Sequence, residues 1–314
     1  MRTGRRNIIG CTAGAASLAG LVAALAGLSC GEPDPEPQIQ ALRSLQADVR
    51  EKAAGKLLLY GDRVVPRLIQ ETNSSYIRVR FEVARLLGRL RDPRAADALI
   101  RLLDDDSFKV AAYAAWGLGE MKVKKALPSL LRFTETPSQS LRKPVVQSLG
   151  PCYDDTLHAA LGDSVRRVIE RAFHDPVPDI RIAALGSARH LGYEGMLDGL
   201  IRLAGDREAK VRHVAVQTLG QAAVGRAPRS PGPLAGADRA AVEEALVTAL
   251  GDSYQSIRTK AVRALEQMGP PPSAAPGLRR LAGRGTEEDQ REAGRALENL
   301  AAGAAAPAGA RVSG

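Results

Sequence analysis

The chain has 314 residues, of which 45% are hydrophobic, 25% are charged and only 4% are aromatic. The average charged fraction argues against global disorder, and a core rich in Ala and Leu but poor in rings suits closely packed helices better than a sheet sandwich. The formal net charge of +9 falls to +6 when residues 1–29 are left out. No Lys/Arg block is dense enough to form a nucleic-acid arm, so nucleic acid is not an expected partner.

The N-terminus has the pattern of an export signal. Residues 1–7 carry three arginines and no acid, and residues 8–29 are uncharged and mostly small or apolar. A short positive segment followed by an apolar one is typical of secretory signals, which assigns residues 1–29 to the signal. Arg5-Arg6 also resembles the twin-arginine pattern, but paired arginines occur in ordinary signals, so both export routes stay open.

Cys30 is the predicted lipidation site. It ends the apolar segment and resembles the lipidated cysteine of bacterial lipoproteins, although Gly27 stands where Leu is usual. Residues 30–40 are rich in Pro and acid, which predicts a solvated tether. The alternative is that residues 8–29, long enough to span a bilayer, remain as an anchor helix. Both interpretations hold the chain at a bacterial envelope membrane, on its extracytoplasmic side.

A repeating unit fills most of the remaining chain. An apolar anchor residue, usually followed by Arg, recurs with small or apolar residues four and eight positions later, which places all three on one helix face. The anchors are Val49, Val79, Val110, Leu141, Ile180, Val211 and Ile257, with Gln290 as a degenerate eighth. Four of the seven intervals are 30 or 31 residues, and insertions explain the longer ones.

Each unit is predicted to contain two helices. Glycines that follow the anchor stripe are expected to end the anchor helix, because Gly favours the left-handed C-cap. They are Gly61, Gly88, Gly119, Gly150, Gly192, Gly220 and Gly269. A second amphipathic helix follows, as in residues 94–103 after the start signal Asp92-Pro93. One pair cannot bury its own stripe, so the units must stack into an all-α superhelix of seven or eight repeats.

The spacing Asp-(x)5-Arg occurs three times across an anchor. The pairs are Asp175 and Arg181, Asp206 and Arg212, and Asp252 and Arg258. With the anchor pattern, residues 41–300 resemble HEAT repeats in their short, lyase-type form. The resemblance implies that the Asp caps the anchor helix and pairs with the Arg in a structural ladder between repeats. No Asp precedes Arg80 or Arg142, so we expect the ladder to be broken in the first half and these arginines to be open to an external acid.

Three segments depart from the repeat. Residues 225–236 are rich in Gly and Pro and are expected to form an inserted loop. Residues 151–173 form an extended unit of unassigned role. Residues 301–314 are rich in Ala and Gly, which predicts a disordered tail.

No catalytic or cofactor motif is present in the sequence. The sequence lacks a phosphate loop, a dinucleotide fingerprint and the Gly-x-Ser-x-Gly motif of hydrolases. It also lacks a His-Glu dipeptide, which excludes the HEAT-type metal hydroxylases, because their iron site is built from such pairs. The best metal-like group matches no regular zinc spacing, and a polar loop leading into a helix, with Asp154 or Asp155 as its cap, explains it better. It consists of Cys152, Asp154, Asp155, His158 and Asp163. We therefore expect no cofactor and no catalysis.

The anchor helices are expected to bind a protein partner. When positions 0, +4 and +8 are buried, positions +2 and +6 face outward and +3 lies at the margin. In the second to fourth units these positions hold Phe81, Arg85, Tyr113, Trp116, Lys143 and Gln147. Trp, Tyr and Arg dominate interface hot spots, so the sequence predicts one binding patch on a monomeric, membrane-anchored scaffold. Three alternatives remain: rings that fill gaps between repeats, an envelope spacer without a partner, and a lyase-like enzyme.

Overall fold

All regular secondary structure in the described chain is helical. The computed structural model describes residues 34–154, 156, 159–193, 195–226 and 232–305. Within these ranges sixteen α-helices form eight successive pairs, and no strand occurs. The predicted all-α solenoid is therefore confirmed.

The helices alternate between two layers. The odd-numbered, outer helices are α1 (Glu36–Ala41), α3 (Val65–Glu71), α5 (Ala96–Leu102), α7 (Leu127–Leu131), α9 (Ala159–Ala172), α11 (Leu197–Ala204), α13 (Gly236–Ala249) and α15 (Ala275–Arg284). The even-numbered helices carry the anchors, and we call them anchor helices. They are α2 (Ala47–Leu59), α4 (Ile77–Leu90), α6 (Phe108–Glu120), α8 (Gln139–Cys152), α10 (Pro178–Leu191), α12 (Ala209–Ala223), α14 (Gln255–Met268) and α16 (Glu287–Ala305).

Most predicted anchor residues lie in the core. The six from Val79 to Ile257 are at most 1% exposed. Val49 is half-buried, because it belongs to the first anchor helix and no described helix pair precedes its own. The prediction of Gln290 as an eighth anchor is wrong, because Gln290 is exposed. Its neighbour Asp289 is buried instead and forms an ion pair with Arg258 of the preceding repeat.

Neighbouring anchor helices pack much more extensively on one another than neighbouring outer helices do. Small residues allow this close approach. A Cβ added to Gly88 would lie 2.8 Å from the Cα of Gly117, and one added to Gly150 would lie 2.6 Å from the Cα of Ser187. In a curved stack the more closely spaced layer must lie inside, so the anchor helices form the concave surface.

The predicted glycine stops are right at three positions and wrong at four. Gly61, Gly192 and Gly269 follow helix ends and have positive φ values of 62°, 92° and 80°. The other four lie inside anchor helices, where their missing side chains admit the next helix. They are Gly88, Gly119, Gly150 and Gly220. The left-handed residues after α4 and α6 are instead Arg91 and Lys122.

Two predicted segment boundaries need correction. α1 begins at Glu36, inside the predicted tether, because Pro37 fits the first turn of a helix and Ile39 is fully buried. At the other end α16 continues to Ala305, so the helix takes the first residues of the predicted tail.

Several predictions fall outside the described residues. They concern the signal, Cys30, residues 227–231 of the inserted loop and residues 306–314 of the tail. Among the helices that are described, none is both long and apolar enough to cross a membrane.

Candidate functional site

A row of arginines connects each anchor helix to the following repeat. Arg181 donates from Nε and Nη2 to the carboxylate of Asp206 at 2.8 and 2.7 Å, and from Nη1 to the backbone oxygen of Asp175 at 2.8 Å. Each such arginine thus holds the turn before its own helix and an aspartate of the next repeat. We call each pair a rung. The rungs are Arg80–Asp105, Arg142–Asp175, Arg181–Asp206, Arg212–Asp252 and Arg258–Asp289.

The ladder between repeats is therefore present, but its local geometry differs from the prediction. The carboxylate of Asp206 pairs with Arg181 of the preceding repeat, while Arg212 reaches forward to Asp252. Asp206 is also not the N-cap of α12. Its Oδ1 accepts the backbone N–H of Glu208, which is the N-cap residue, at 2.9 Å. Asp175 and Asp252 do the same for Val177 and Tyr254. These aspartates fix the turn into the helix.

The expectation of an external acid at Arg80 and Arg142 is wrong. Nε of Arg80 lies 2.6 Å from Asp105, and Nε of Arg142 lies 2.9 Å from Asp175. Both aspartates belong to the next repeat and follow their arginines in sequence, so the spacing of an Asp before each Arg does not reveal them. The stripe of arginines is consequently neutralised within the chain.

The ladder is interrupted in the first half, as expected, but at fewer places. Between the third and fourth repeats, Ala111 stands at the arginine position and Thr136 at the aspartate position. Between the first and second repeats, Ser74 replaces the aspartate, and Nε of Arg50 lies 3.8 Å from Glu82. The four interfaces from α8 to α16 each have a rung.

Hydrogen bonds keep three of the rung carboxylates, those of Asp206, Asp252 and Asp289, ionised. Burial alone raises the pKa of Asp206, but hydrogen bonds from Arg181 and from the N–H of Glu208 outweigh burial and hold this pKa below its usual value. The same balance lowers the pKa values of Asp252 and Asp289. These charges are matched and largely buried, which supports a structural role for the ladder.

Three aromatic side chains form a cluster on the concave surface of the second and third repeats. The rings of Phe81 and Tyr113 meet edge to face with centroids 4.8 Å apart, and those of Tyr113 and Trp116 are 6.1 Å apart. All three are partly exposed. Trp116 lies over Gly88, where a Cβ would be 2.8 Å from its ring. The rings therefore fill space between repeats and also keep a free face.

The aromatic cluster borders a groove of about 430 Å³, which we call the aromatic groove. Its lining includes Arg85, Arg89, Arg91 and Glu120. Arg85 binds Glu82 at 2.6 Å, and Arg91 pairs with Glu120. Arg89 is exposed and has no acidic partner in the described chain. Sequence reasoning missed Arg89, although it lies four residues after Arg85 on the same helix face.

Lys143 and Gln147 do not join the aromatic groove. Both are exposed on α8 and, with α10 and α12, line a second groove of about 470 Å³. Its further lining includes Asp179, Ile182, Gly186, Arg189, Gln217 and Gln221. The structure therefore divides the six predicted partner-binding residues between two sites.

Two members of the metal-like group, Cys152 and Asp154, have ordinary structural contacts. The Sγ of Cys152 donates to the backbone oxygen of Leu118 at 3.4 Å, and burial raises the pKa of Cys152 to about 12, so it remains a thiol. Asp154 accepts the N–H of Thr156 at 2.9 Å and pairs with Lys124. Asp155 and His158 lie outside the described residues, and no cluster within the described ranges could hold a metal ion.

Residues 35–111 match the family model described as HEAT repeats. A phycocyanobilin lyase subunit alpha from Nostoc sp. (strain PCC 7120) is 32% identical over 111 residues, which are 32% of this chain and 40% of that protein. The match thus spans less than half the length of this relative.

Two solved structures share the helical architecture. The X-ray structure of the Escherichia coli protein YibA has a TM-score of 0.61 at 16% identity and covers 95% of this chain and 99% of its own. A crystal structure of an engineered protein has a TM-score of 0.54 at 18% identity, covering 86% and 79% respectively. At these identities the likeness shows the fold alone. Residues 35–111 thus match HEAT repeats, and the helical pairs beyond them continue the same kind of solenoid.

Proposed function

We propose that this chain is a non-catalytic scaffold that binds a protein partner through the aromatic groove. In this proposal a lipid on Cys30 holds it at the extracytoplasmic face of a bacterial membrane. The observation that carries the binding role is the aromatic cluster of Phe81, Tyr113 and Trp116, which is partly exposed beside Arg85 and Arg89.

The cluster has the physical properties of an interface hot spot. Trp, Tyr and Arg are the side chains that most often dominate binding energy. The rings of Phe81, Tyr113 and Trp116 already pack on one another, so a partner need not order them, and the entropic cost of binding is lowered. Arg89 lacks an acidic partner in the described chain and offers a charge to a carboxylate of the partner.

Other exposed rings favour a binding protein over an inert spacer. Tyr76, Phe108 and Tyr254 are 53%, 52% and 56% exposed at the starts of anchor helices. An envelope spacer would be expected to present a uniformly polar exterior. The relative from Nostoc is named as a subunit, which supports assembly with another chain.

The same relative favours a second candidate function, a lyase-type activity on this scaffold. Only 40% of that protein is matched, so its activity does not transfer with the fold. Mixing the chain with free phycocyanobilin tests this candidate by absorbance and circular dichroism. If the chain is a scaffold, we expect the spectrum of the mixture to be that of free phycocyanobilin. A shifted spectrum, with transfer of the pigment to an acceptor protein, would favour the lyase.

Substitution of Trp116 tests the scaffold proposal. The full-length chain is used to capture partners from membranes of its own organism, and affinity for the captured protein is then titrated. We expect Trp116→Ala to weaken binding by roughly 30-fold, the equivalent of about 2 kcal/mol. Lys109→Ala removes an exposed side chain from the same helix outside the aromatic groove; it is the control and should bind like the wild type. Equal binding by the wild type and Trp116→Ala, with both folded, would contradict the proposal.

Lipidation of Cys30 is tested separately. Expressed in a bacterial host, the full-length chain should incorporate labelled palmitate and fractionate with membranes, and Cys30→Ser should lose both properties. Loss of the label with unchanged membrane fractionation would favour an anchor helix over residues 8–29.

A further inference from the structure

The second groove on the concave surface is lined by unpartnered amides. It crosses α8, α10 and α12, and we call it the glutamine groove after Gln147, Gln217 and Gln221. Within the described chain the side-chain amides of these residues form no hydrogen bond. An amide side chain offers both an acceptor oxygen and two donor hydrogens, which is also what a peptide main chain requires from a surface.

Gly186 lies in the middle of α10, between Gln147 and Gln217 at the equivalent position of the neighbouring anchor helices. Gly destabilises a helix interior relative to Ala, so the presence of Gly at this position calls for an explanation. Packing supplies none, since a Cβ on Gly186 would have no atom within 4 Å. Gly150 differs, because its Cβ would lie 2.6 Å from backbone atoms of Ser187. Gly186 therefore leaves an open notch in the floor of the groove, where another main chain can approach closely.

The charge of the groove is positive. Asp179 is the acid in its lining, and it is bound by both Lys143 at 3.1 Å and Lys210 at 2.6 Å. These hydrogen bonds, from Lys210 first, lower the pKa of Asp179 and keep it ionised. Arg189 is exposed in the same groove and has no acidic partner in the described part of the chain. The groove consequently suits a ligand that carries a carboxylate.

We infer that the glutamine groove binds an extended acidic peptide segment of a partner protein. The main chain lies against Gln147 and Gln217 above the notch at Gly186, and a carboxylate of the peptide pairs with Arg189. Packed helices lie about 8–10 Å apart, so two steps from α8 to α12 span roughly 16–20 Å. An extended chain of about six residues covers this length. The inference rests on the proposed scaffold function and adds the kind of segment that the scaffold takes.

Random peptides displayed on phage provide the probe. They are selected on the full-length chain, and the enriched sequences are titrated as fluorescein-labelled synthetic peptides. We expect the enriched peptides to contain Asp or Glu and to bind Gly186→Leu about tenfold or more weakly than the wild type, since the added side chain fills the notch. Arg189→Glu should disfavour the acidic peptides and select lysine-containing ones.

Gly55→Leu is the matched control for the notch. Gly55 holds the equivalent position on α2, and a Cβ there also has no atom within 4 Å. This variant should bind the peptides like the wild type. Gly186→Ala should melt at or above the wild-type temperature, because the added methyl group contacts no other atom of the chain. If Gly186→Leu does not fold, Gly186→Ala and Arg189→Glu still test the groove.

Failure to enrich acidic peptides, or equal affinity for the wild type and Gly186→Leu, would overturn the inference. If the binding of a captured partner depends on Trp116 but either of these peptide results is obtained, the inference fails while the scaffold proposal stands. If acidic peptides bind at the notch but no partner depends on Trp116, the aromatic groove is the part that fails.

Discussion

The two halves of the solenoid stack the same kind of repeat with different polar contacts. From α8 to α16 every interface between anchor helices has an arginine–aspartate rung. From α2 to α8 only the α4–α6 interface has one, formed by Arg80 and Asp105. Helix packing continues through both halves, so the rungs are an addition to a stack that apolar burial already forms.

The interface between α6 and α8 lacks a rung and has only hydrogen bonds of a second kind, which the α8–α10 interface has in addition to its rung, from the Oγ of Ser187 to the backbone oxygen of Val146. The Oγ of Ser148 donates to the backbone oxygen of Ala115 at 2.8 Å, and the Sγ of Cys152 donates to that of Leu118. A Cβ on Gly119 would lie 2.4 Å from the Oγ of Ser148, so these helices approach closely. This interface is joined near the C-terminal ends of its helices, whereas a rung joins the N-terminal ends.

Removal of one rung from the C-terminal half should have the largest effect. Arg181 is 5% exposed, and Arg181→Ala leaves the carboxylate of Asp206 buried without its partner. We expect a loss of about 3–5 kcal/mol in the free energy of unfolding, measured with urea. Arg189→Ala on the same helix is exposed and should change this free energy by less than about 0.5 kcal/mol. Similar values for the two variants would show that the rung adds no stability.

Acid should weaken the C-terminal half through its rungs. Because the folded-state pKa values of Asp206, Asp252 and Asp289 are lowered, their stabilisation is complete above the unfolded-state pKa of about 3.9 and is lost as the pH falls through the folded values. Each unit of lowering corresponds to about 1.4 kcal/mol.

Hydrogen exchange followed by mass spectrometry checks this expectation. Protection of α10–α14 should fall as the pH is taken below about 4, and Asp206→Asn should flatten the pH dependence near α10 and α12. Acid sensitivity that is unchanged in Asp206→Asn would assign the effect to groups outside this rung.

Adding a rung to the first half should have the smallest effect. Ala111→Arg with Thr136→Asp restores both residue types at the α6–α8 interface, and the pair should stabilise the fold by about 1 kcal/mol or less relative to the sum of the single variants. Ala111→Arg alone should destabilise, because it buries an unpaired charge where Ala111 is fully buried. Zero coupling in this double-mutant cycle would mean that the two halves differ in backbone geometry as well as in residue type.

Periodicity was enough to predict the fold and the main concave positions. The anchors from Val79 to Ile257 are buried, and Phe81, Arg85, Tyr113 and Trp116 come together as spacing implied. The partners of the arginines were not predictable in the same way. A separation of six residues makes Asp206 and Arg212 look like a local pair, but the carboxylate turns to the preceding repeat, and only three-dimensional stacking decides that direction.

Glycine was the other source of error, for a physical reason. A Gly after an apolar stripe has the same sequence signature whether it ends a helix, as Gly192 does, or admits a neighbouring helix, as Gly150 does. The separation of Lys143 and Gln147 from the aromatic groove was likewise hidden, because position along a repeat specifies a face of the helix but not where one groove ends and the next begins.

Cys152 makes the rung-free interface experimentally visible. Its thiol is fully buried between α6 and α8, and its raised pKa makes it unreactive while these helices remain together. With Cys11 and Cys30 replaced, a maleimide can react at Cys152 only when the third and fourth repeats separate. The rate of labelling at the Sγ of Cys152 then measures how often these two repeats separate, without any added reporter group.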